Sequence, residues 1–311
     1  MDFVLLIAGL IGLWLGTELT IGGALAIARR HNLSEFFVGL VILSIGSDLP
    51  EIAVAVDAGI KGLMGQEASG VVVGTTIGSV ITQIGFVLGL CAMLSVLILR
   101  RSFLLKHGSV LLASTVLLFL VAFDGLVTHT EGFILITFYA VYVIALMYGA
   151  EPPEHEHKTV AGGGLRSWLL LLVGLATVTL GSEFTVNSVV RLAHTFQVSE
   201  VVIAVLVIGL GTSLPELSIS LAAILKNRTQ LSVGNIIGSN ILDTLLPIGI
   251  AAVISTVNFE TSLLHYDLPF VFVLTLVVLG LFYARKKLSR TEGIIILSMY
   301  LLYVVTKLQQ F

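Results

Sequence analysis

The stretch Gly46-Ser47-Asp48-Leu49-Pro50-Glu51 occurs a second time in this chain, as Gly211-Thr212-Ser213-Leu214-Pro215-Glu216. Each copy places a carboxylate directly after a proline in an otherwise apolar segment, and a glycine-rich apolar stretch follows, at 74–79 and at 234–239. An ionisable residue in such a segment is costly to bury in lipid and by default indicates a functional site. Its duplication on segments interrupted by glycine and proline is the best sequence indication of a transporter binding site. The repeat therefore predicts a protein that moves cations across a membrane.

The composition excludes a soluble domain. Of the 311 residues, 57% are hydrophobic and 11% are charged, whereas about 25% are charged in soluble domains. The mean hydropathy of +1.07 and the repeated long apolar runs require several membrane spans. No basic, aromatic-interleaved stretch indicates nucleic-acid binding, and the single cysteine, Cys91, allows no intrachain disulfide. We expect the N-terminal apolar run to be a retained span and not a cleaved signal.

Ten apolar segments are long enough to suggest ten transmembrane helices in an all-α fold. They lie at 3–28, 35–60, 68–98, 104–123, 131–149, 167–190, 200–225, 231–256, 268–284 and 292–309. Lysine and arginine in the short loops indicate the orientation. With the N-terminus outside, 13 of the 16 basic residues fall in inner loops, and only Lys61, Arg191 and Lys307 lie outside. Both termini are therefore predicted outside.

The two halves match each other at an offset of 165 residues. Glu18 and Thr20 match Glu183 and Thr185, and the two Leu-Pro-Glu motifs align. Beyond the motifs the offset falls to 160, which leaves five extra residues in the first half around 61–70. Because each half has five spans, the second must be inverted, and an inverted repeat places the site where the halves meet. We predict a first repeat over 1–150, a cytoplasmic linker over 151–166 and a second repeat over 167–311.

The candidate site is built from oxygen-bearing residues on two kinds of segment. In the second segment Gly46 is expected to break the helix and Pro50 to start a new one, which frees backbone carbonyls around 43–47 for cations. Glu51 follows, with Ser47 and Asp48 near the helix start, and Gly209, Thr212, Ser213 and Glu216 repeat this arrangement. In the partner segments Ser79 shares a helix face with Gln83, and Ser239 with Asp243. Carboxylate, hydroxyl, amide and carbonyl oxygens are ligands for Ca²⁺ and Na⁺.

These motifs resemble the α-repeats of the sodium/calcium exchangers in the calcium/cation antiporter superfamily. The second copy, followed by Gly234-Asn235-Ile236-Ile237-Gly238-Ser239-Asn240, is similar to that family's second repeat almost letter for letter. The resemblance implies exchange of several Na⁺ for one Ca²⁺, with Glu51 and Glu216 as central Ca²⁺ ligands shared with Na⁺. It also implies that Na⁺ is bound by the hydroxyls of Ser47, Thr212, Ser213, Ser79 and Ser239 and by backbone carbonyls near Ser44 and Gly209. Asp243 and Gln83 would occupy the remaining central positions.

The first repeat departs from the family pattern at Asp48, where serine or threonine is usual. Asp48 adds a fourth carboxylate three residues from Glu51, so both can face one cavity. Carboxylates that close cannot all stay ionised without cations. We therefore predict altered stoichiometry or pH sensitivity, with a proton in place of one Na⁺ as one form of it. An Asp48 at the cavity rim that binds no ion is the alternative.

Several alternatives stay open on the sequence. A Ca²⁺/H⁺ antiporter is the nearest, a cation channel is less favoured, and an intramembrane protease would need an acid–base pair beside a water. Glu18 and Glu183 could line an ion path, although bonding between their helices and the bundle is favoured. Asp267 is interpreted as a solvated residue at a span end. We expect no resident cofactor, a functional monomer and a prokaryotic plasma (inner) membrane location.

Overall fold

The computed structural model describes residues 2–98, 101–148, 164–196 and 209–309, and these are nearly all helical. Eight helices in this part of the chain are long and apolar enough to cross a membrane, and a bent pair supplies a ninth candidate span. We label the helices α1 (Asp2–Arg30), α2 (Glu35–Ser47), α3 (Leu49–Leu63), α4 (Ser69–Leu94), α5 (Arg101–Val121), α6 (His129–Tyr148), α7 (Gly164–Thr195), α8 (Leu214–Leu225), α9 (Thr229–Ile254), α10 (Leu263–Arg285) and α11 (Arg290–Leu308). The predicted linker lies almost wholly outside the described residues.

The second predicted span is a broken helix, but the break is not where the sequence suggested. Helices α2 and α3 meet at an angle of 44°, and the residue between them is Asp48, with φ −89° and ψ 6°. Gly46 stays helical, so its predicted role as the breaking residue is wrong. Its missing side chain instead leaves room for Leu175, since a Cβ at Gly46 would lie 2.3 Å from Leu175 Cδ1. Pro50 occupies the first turn of α3, as predicted.

The same break recurs in the second half. Ser213, with φ −98° and ψ 10°, precedes α8, and Pro215 lies in the first turn of that helix. Before it comes a single helical turn, Gly209–Gly211. The first part of the predicted segment 200–225, the seventh predicted span, lies outside the described residues, so this span is described only through the turn Gly209–Gly211 and α8.

The two halves are interlocked. Helix α6 of the first half packs on α9 of the second, and α11 of the second packs on α4 of the first. These contacts are matched, because a Cβ at Gly132 would lie 2.7 Å from Gly249 O, and one at Gly293 would lie 2.7 Å from Gly89 O. Two short antiparallel ladders also join the halves. They pair β1 (Leu97–Ile98) with β4 (Lys287–Leu288), and β2 (Leu126–Val127) with β3 (Val257–Asn258).

Helices α1 and α7 form a separate, closely packed pair. They run antiparallel, since Gly9 lies against Thr185 and Gly23 against Leu171. A Cβ at Gly23 would lie 2.5 Å from Leu171 N, so the backbones approach closer than any side chain permits. Small residues at an interface are the usual means of close helix packing in membranes. The remaining helices share a larger hydrophobic core that surrounds α9, most of whose residues are buried.

Candidate functional site

The two broken helices and the two glycine-rich helices bring the predicted site residues into the interior. The structure buries ten of the twelve: Ser44, Ser47, Asp48, Glu51, Ser79, Gln83, Ser213, Glu216, Ser239 and Asp243. Thr212 is half-buried, and the backbone of Gly209 belongs to the turn before α8. Ser44, Ser47, Asp48 and Glu51 lie around the junction of α2 and α3, and Ser213 and Glu216 lie at the start of α8. Ser79 and Gln83 lie on α4, and Ser239 and Asp243 lie on α9.

Side-chain contacts cross between the halves at this level. The Ser79 hydroxyl donates to the Thr212 hydroxyl at 3.2 Å, and Gln83 Nε2 donates to Asp243 Oδ2 at 2.9 Å. Each contact joins a residue of α4 to the second repeat. The site therefore lies between the halves and not within either one.

The site's acidic side chains lie close enough for their charges to interact. Asp48 interacts with Asp243, Glu216 and Glu51, and Glu51 interacts with Glu216 and Asp243. Within the described residues no lysine or arginine forms an ion pair with any of the four. Uncompensated buried carboxylates are costly unless a cation joins them.

Eight oxygen atoms of these residues are buried and make no hydrogen bond within the described part of the chain. They are Asp48 Oδ2, Glu51 Oε2, Gln83 Oε1, Ser213 Oγ, both carboxylate oxygens of Glu216, Ser239 Oγ and Asp243 Oδ1. Buried polar atoms in native proteins nearly always have a partner. Eight such oxygens from both halves fit one or more hard cations, which take oxygen ligands at 2.3–2.6 Å in the case of Ca²⁺.

The geometry limits how many acids can hold one ion. Among the described residues no group of three or more His, Cys, Asp or Glu side chains is placed to hold a metal ion. Any cation held here must therefore take part of its ligands from serine, threonine, glutamine or backbone oxygens. The Ser44 carbonyl is not freed as predicted, because it accepts hydrogen bonds from the Asp48 backbone N–H at 3.0 Å and from the Ser47 hydroxyl at 3.3 Å.

A cavity reaches Glu51 from one side of the membrane. Its volume is about 270 Å³, and its lining includes Val54, Ser182, Glu183, Asn187 and Thr212. The matched position on the opposite side is buried, since Val54 is 37% exposed and its counterpart Ile219 is 0% exposed. The open side carries the N-terminal end of α1, where Asp2 pairs with Arg191 at 2.6 Å. The loop-charge prediction assigns this side to the exterior.

Glu18 and Glu183, matched in sequence, have different surroundings. Glu18 Oε2 accepts a hydrogen bond from Lys226 Nζ at 2.5 Å, which ties α1 to the end of α8. This confirms the favoured interpretation for Glu18, that it bonds its helix to the bundle. Glu183 instead lines the cavity, which is the alternative that the sequence left open.

The sequence interpretation missed two polar features. Asn235 is fully buried, donates to Ser220 Oγ at 3.1 Å and leaves its Oδ1 without a partner. Its position within the glycine-rich stretch could have identified it. Asp267 was interpreted as solvated and is fully buried, bonded to Lys307 Nζ at 2.6 Å and to Tyr303 OH at 2.7 Å. That pairing depends on contacts between α10 and α11 that no local pattern reports.

Comparison with known proteins assigns the chain to a family. A model of the sodium/calcium exchanger proteins matches residues 1–148 and 166–309, which are the two halves. The chain belongs to the sodium/calcium exchanger family. Members of this family are transporters, and nothing in the match indicates catalysis.

Full-length relatives agree with this assignment. The chain is 25% identical to the sodium/calcium exchanger MaX1 of Methanosarcina acetivorans, over 98% of this chain and 97% of that protein. It is 30% identical to the putative antiporter CaxA of Alkalimonas amylolytica, over 96% of each chain. A solved structure of the sodium-calcium exchanger NCX_Mj superimposes with a TM-score of 0.83 at 28% identity, over 98% of each chain. The fold and the class of activity, cation exchange transport that includes Ca²⁺, follow from these matches.

Proposed function

We propose that this protein is a secondary antiporter that exchanges Na⁺ for Ca²⁺ by alternating access. The observation that carries the proposal is the set of buried, unpartnered oxygens contributed by both halves around Glu51 and Glu216. Two carboxylates with neutral oxygens can hold one Ca²⁺, and the same atoms can be shared among several Na⁺. Exchange of more than two Na⁺ for one Ca²⁺ carries net charge, and with that stoichiometry the transport is electrogenic.

The unequal access to the site supports an alternating mechanism. Glu51 lines the cavity, whereas Glu216 and Ile219, on the same helix, are fully buried. The pair α1 and α7 borders both sides, because Ser182, Glu183, Val186 and Asn187 of α7 line the cavity and Glu18 of α1 bonds at the closed side. Sliding of this pair past the core would close one side and open the other.

The test is Ca²⁺ uptake into proteoliposomes loaded with Na⁺. We expect uptake to require the outward Na⁺ gradient, to respond to membrane potential, and to fall to background in Glu51→Gln and in Glu216→Gln. Glu67→Gln is a matched control, because Glu67 lies outside the site and accepts a hydrogen bond from Asn258. Uptake that continues without Na⁺, or that survives both site substitutions, would contradict the proposal.

A Ca²⁺/H⁺ antiporter is the second candidate, and Asp48 is the observation that favours it. This fourth carboxylate is fully buried among three others, and one of its oxygens has no partner. A carboxylate so placed can take a proton in place of a cation. Uptake driven by a pH gradient without Na⁺ would support this candidate, and uptake driven by neither gradient would indicate a channel.

We further propose that the functional unit is a monomer in a prokaryotic plasma membrane, with both termini outside and no resident cofactor. One chain contains both halves of the site, so no second copy is needed to complete it. The orientation rests on the excess of lysine and arginine in one set of loops. Single-cysteine labelling of the loops from either side would test it.

A further inference from the structure

We propose that two symmetry-related ion pairs form in turn, Glu18–Lys226 on one side of the membrane and Glu183–Lys61 on the other, and that each holds its side closed. The proposal rests on the alternating access proposed above. It assigns a role to four charged residues that lie outside the ion-binding site.

The first pair is formed in this structure. Lys226 Nζ lies 2.5 Å from Glu18 Oε2. Lys226 follows directly after α8, the helix that carries Glu216, and Glu18 lies in α1. The contact therefore joins the α1–α7 pair to the site helix on the side that is closed.

The second pair follows from the sequence match. At the offset of 165 residues, Glu18 corresponds to Glu183 and Lys226 corresponds to Lys61. On this side the access is open, and Glu183 lines the cavity without an ion pair to any described lysine or arginine. Lys61 bonds instead to Asp57 on its own helix, at 2.6 Å. The open side thus contains both partners of the matched pair, held apart.

Lys61 is placed to reach α7 when the cavity closes. Val54 and Lys61 are seven residues apart on α3, so they lie on the same helix face. Val54 lines the cavity together with residues of α7, so the face of α3 that carries Lys61 is turned toward α7. A movement that brings α7 against α3 closes the cavity and brings the two charges together.

The two sides differ in one respect that gives the pairs unequal strength. Asp57, which competes with Glu183 for Lys61, corresponds to Ala222 in the second half. Lys226 therefore has no competing carboxylate one turn before it. We infer that Glu18–Lys226 forms more readily than Glu183–Lys61, which favours the conformation seen here.

The expected size of the effect follows from exposure. The side chains of Glu18 and Lys226 are 43% and 36% exposed, and exposed ion pairs have modest strength. Loss of one pair should therefore change the ratio of the two conformations about two- to fivefold. The pairs bias the equilibrium and do not lock it.

The experiment measures access to each side by thiol labelling. Cys91 is the chain's single cysteine and is buried, so Cys91→Ser gives a background without thiols. In this background Val54→Cys reports the open side and Ile219→Cys reports the closed side. A membrane-impermeant maleimide is applied to each side of oriented vesicles without any ion gradient.

In Lys226→Gln we expect labelling of Ile219→Cys to quicken and labelling of Val54→Cys to slow, so that the ratio of the two rates changes about two- to fivefold. Adding Lys61→Gln should bring both rates back toward the parent values. The charge-reversed pair Glu18→Lys with Lys226→Glu should restore them as well.

Unfolding would quicken labelling at both probes, so opposite changes identify a shift between the two conformations. Unchanged rates, parallel changes, or a charge-reversed pair that behaves like the single variants would overturn the proposal. The readout needs no transported ion. A wrong ion assignment would thus appear as absent Na⁺-driven Ca²⁺ uptake with the labelling shifts intact.

Discussion

Asp48 is one of the site residues at which the two repeats differ in chemistry. The second repeat has Ser213 at the matched position, and the two residues occupy the same place before a proline-started helix. The Ser47 hydroxyl donates to Asp48 Oδ1 at 3.1 Å, and Oδ2 has no partner. The first repeat therefore brings a negative charge to a position where the second brings a hydroxyl.

We expect Asp48→Ser to make Ca²⁺ uptake less sensitive to acid than in the parent protein. In the parent, protons compete with cations for the four carboxylates, so uptake falls as the pH falls. The variant has one carboxylate fewer, and its uptake should fall less and show a changed dependence on Na⁺ concentration. The measurements are uptake over a pH series at fixed gradients and uptake over a Na⁺ series at fixed pH. Superimposable curves for the two proteins would show that Asp48 binds neither a proton nor Na⁺ during transport.

Asp267 and Lys307, which are not among the candidate site residues, form an ion pair whose side chains are only 1% and 14% exposed. We expect Lys307→Met to destabilise the protein by about 3–5 kcal/mol, because it leaves the Asp267 carboxylate buried without its cation. The double variant Asp267→Asn with Lys307→Met should recover most of this loss. Thermal unfolding in detergent measures both. Lys61→Met is the control, since its exposed pair with Asp57 should change stability by less than about 1 kcal/mol.

At the scale of single helices, the sequence predicted the existence of each element better than its internal breaks. Apolar runs identified the spans because lipid demands about 20 apolar residues. The break was assigned to Gly46, whereas the structure breaks at Asp48. A glycine allows more backbone conformations than other residues, and it also lacks a side chain. At Gly46 the missing side chain is what matters, because Leu175 occupies that space. No pattern within the segment contains that neighbour.

Adjacent glycines in α1 should respond in opposite ways to the same substitution. A Cβ at Gly23 would lie 2.5 Å from Leu171 N, whereas one at Gly22 would meet nothing within 4 Å among the described residues. We expect Gly23→Ala to cost about 1–3 kcal/mol through overpacking. Gly22→Ala should be neutral or stabilising by up to about 1 kcal/mol, because alanine favours helix.

Thermal unfolding of the two variants in detergent, side by side, makes this comparison. Equal melting temperatures for Gly22→Ala and Gly23→Ala would show that the α1–α7 contact is looser than the structure indicates. Ca²⁺ uptake should fall together with stability in Gly23→Ala and should stay at the parent level in Gly22→Ala.

At the scale of the molecule, the matched motifs indicated two halves but not how they interlock. The offset of 165 residues identified the repeat, and the oxygen-bearing residues identified the candidate site. The pairing of α6 with α9 and of α11 with α4 could not be predicted, because each contact joins residues more than 100 positions apart. The same holds for the Glu18–Lys226 pair, whose residues are 208 positions apart.

Interlocking makes the halves dependent on each other for folding. We expect residues 1–156 and 157–311, expressed as separate chains in one cell, to copurify and to take up Ca²⁺ when reconstituted together. Each chain alone should be degraded or aggregated, since helices α6 and α11 would lose the partners that bury their glycine faces. Copurification and protease resistance measure this. A stable, protease-resistant single half would contradict it.

The unequal exposure of Val54 and Ile219 has a thermodynamic consequence. A protein that rests with one face open binds its ions from that face at close to their intrinsic affinity, and from the other face at an affinity reduced by the rarity of the opposite state. The two faces of this exchanger should then half-saturate at different ion concentrations. The final accumulation ratio is unaffected, because the gradients alone fix it. At the same ion concentration, transport should therefore be faster in one direction than in the other. The ion ratio at which net transport stops should be the same in both directions.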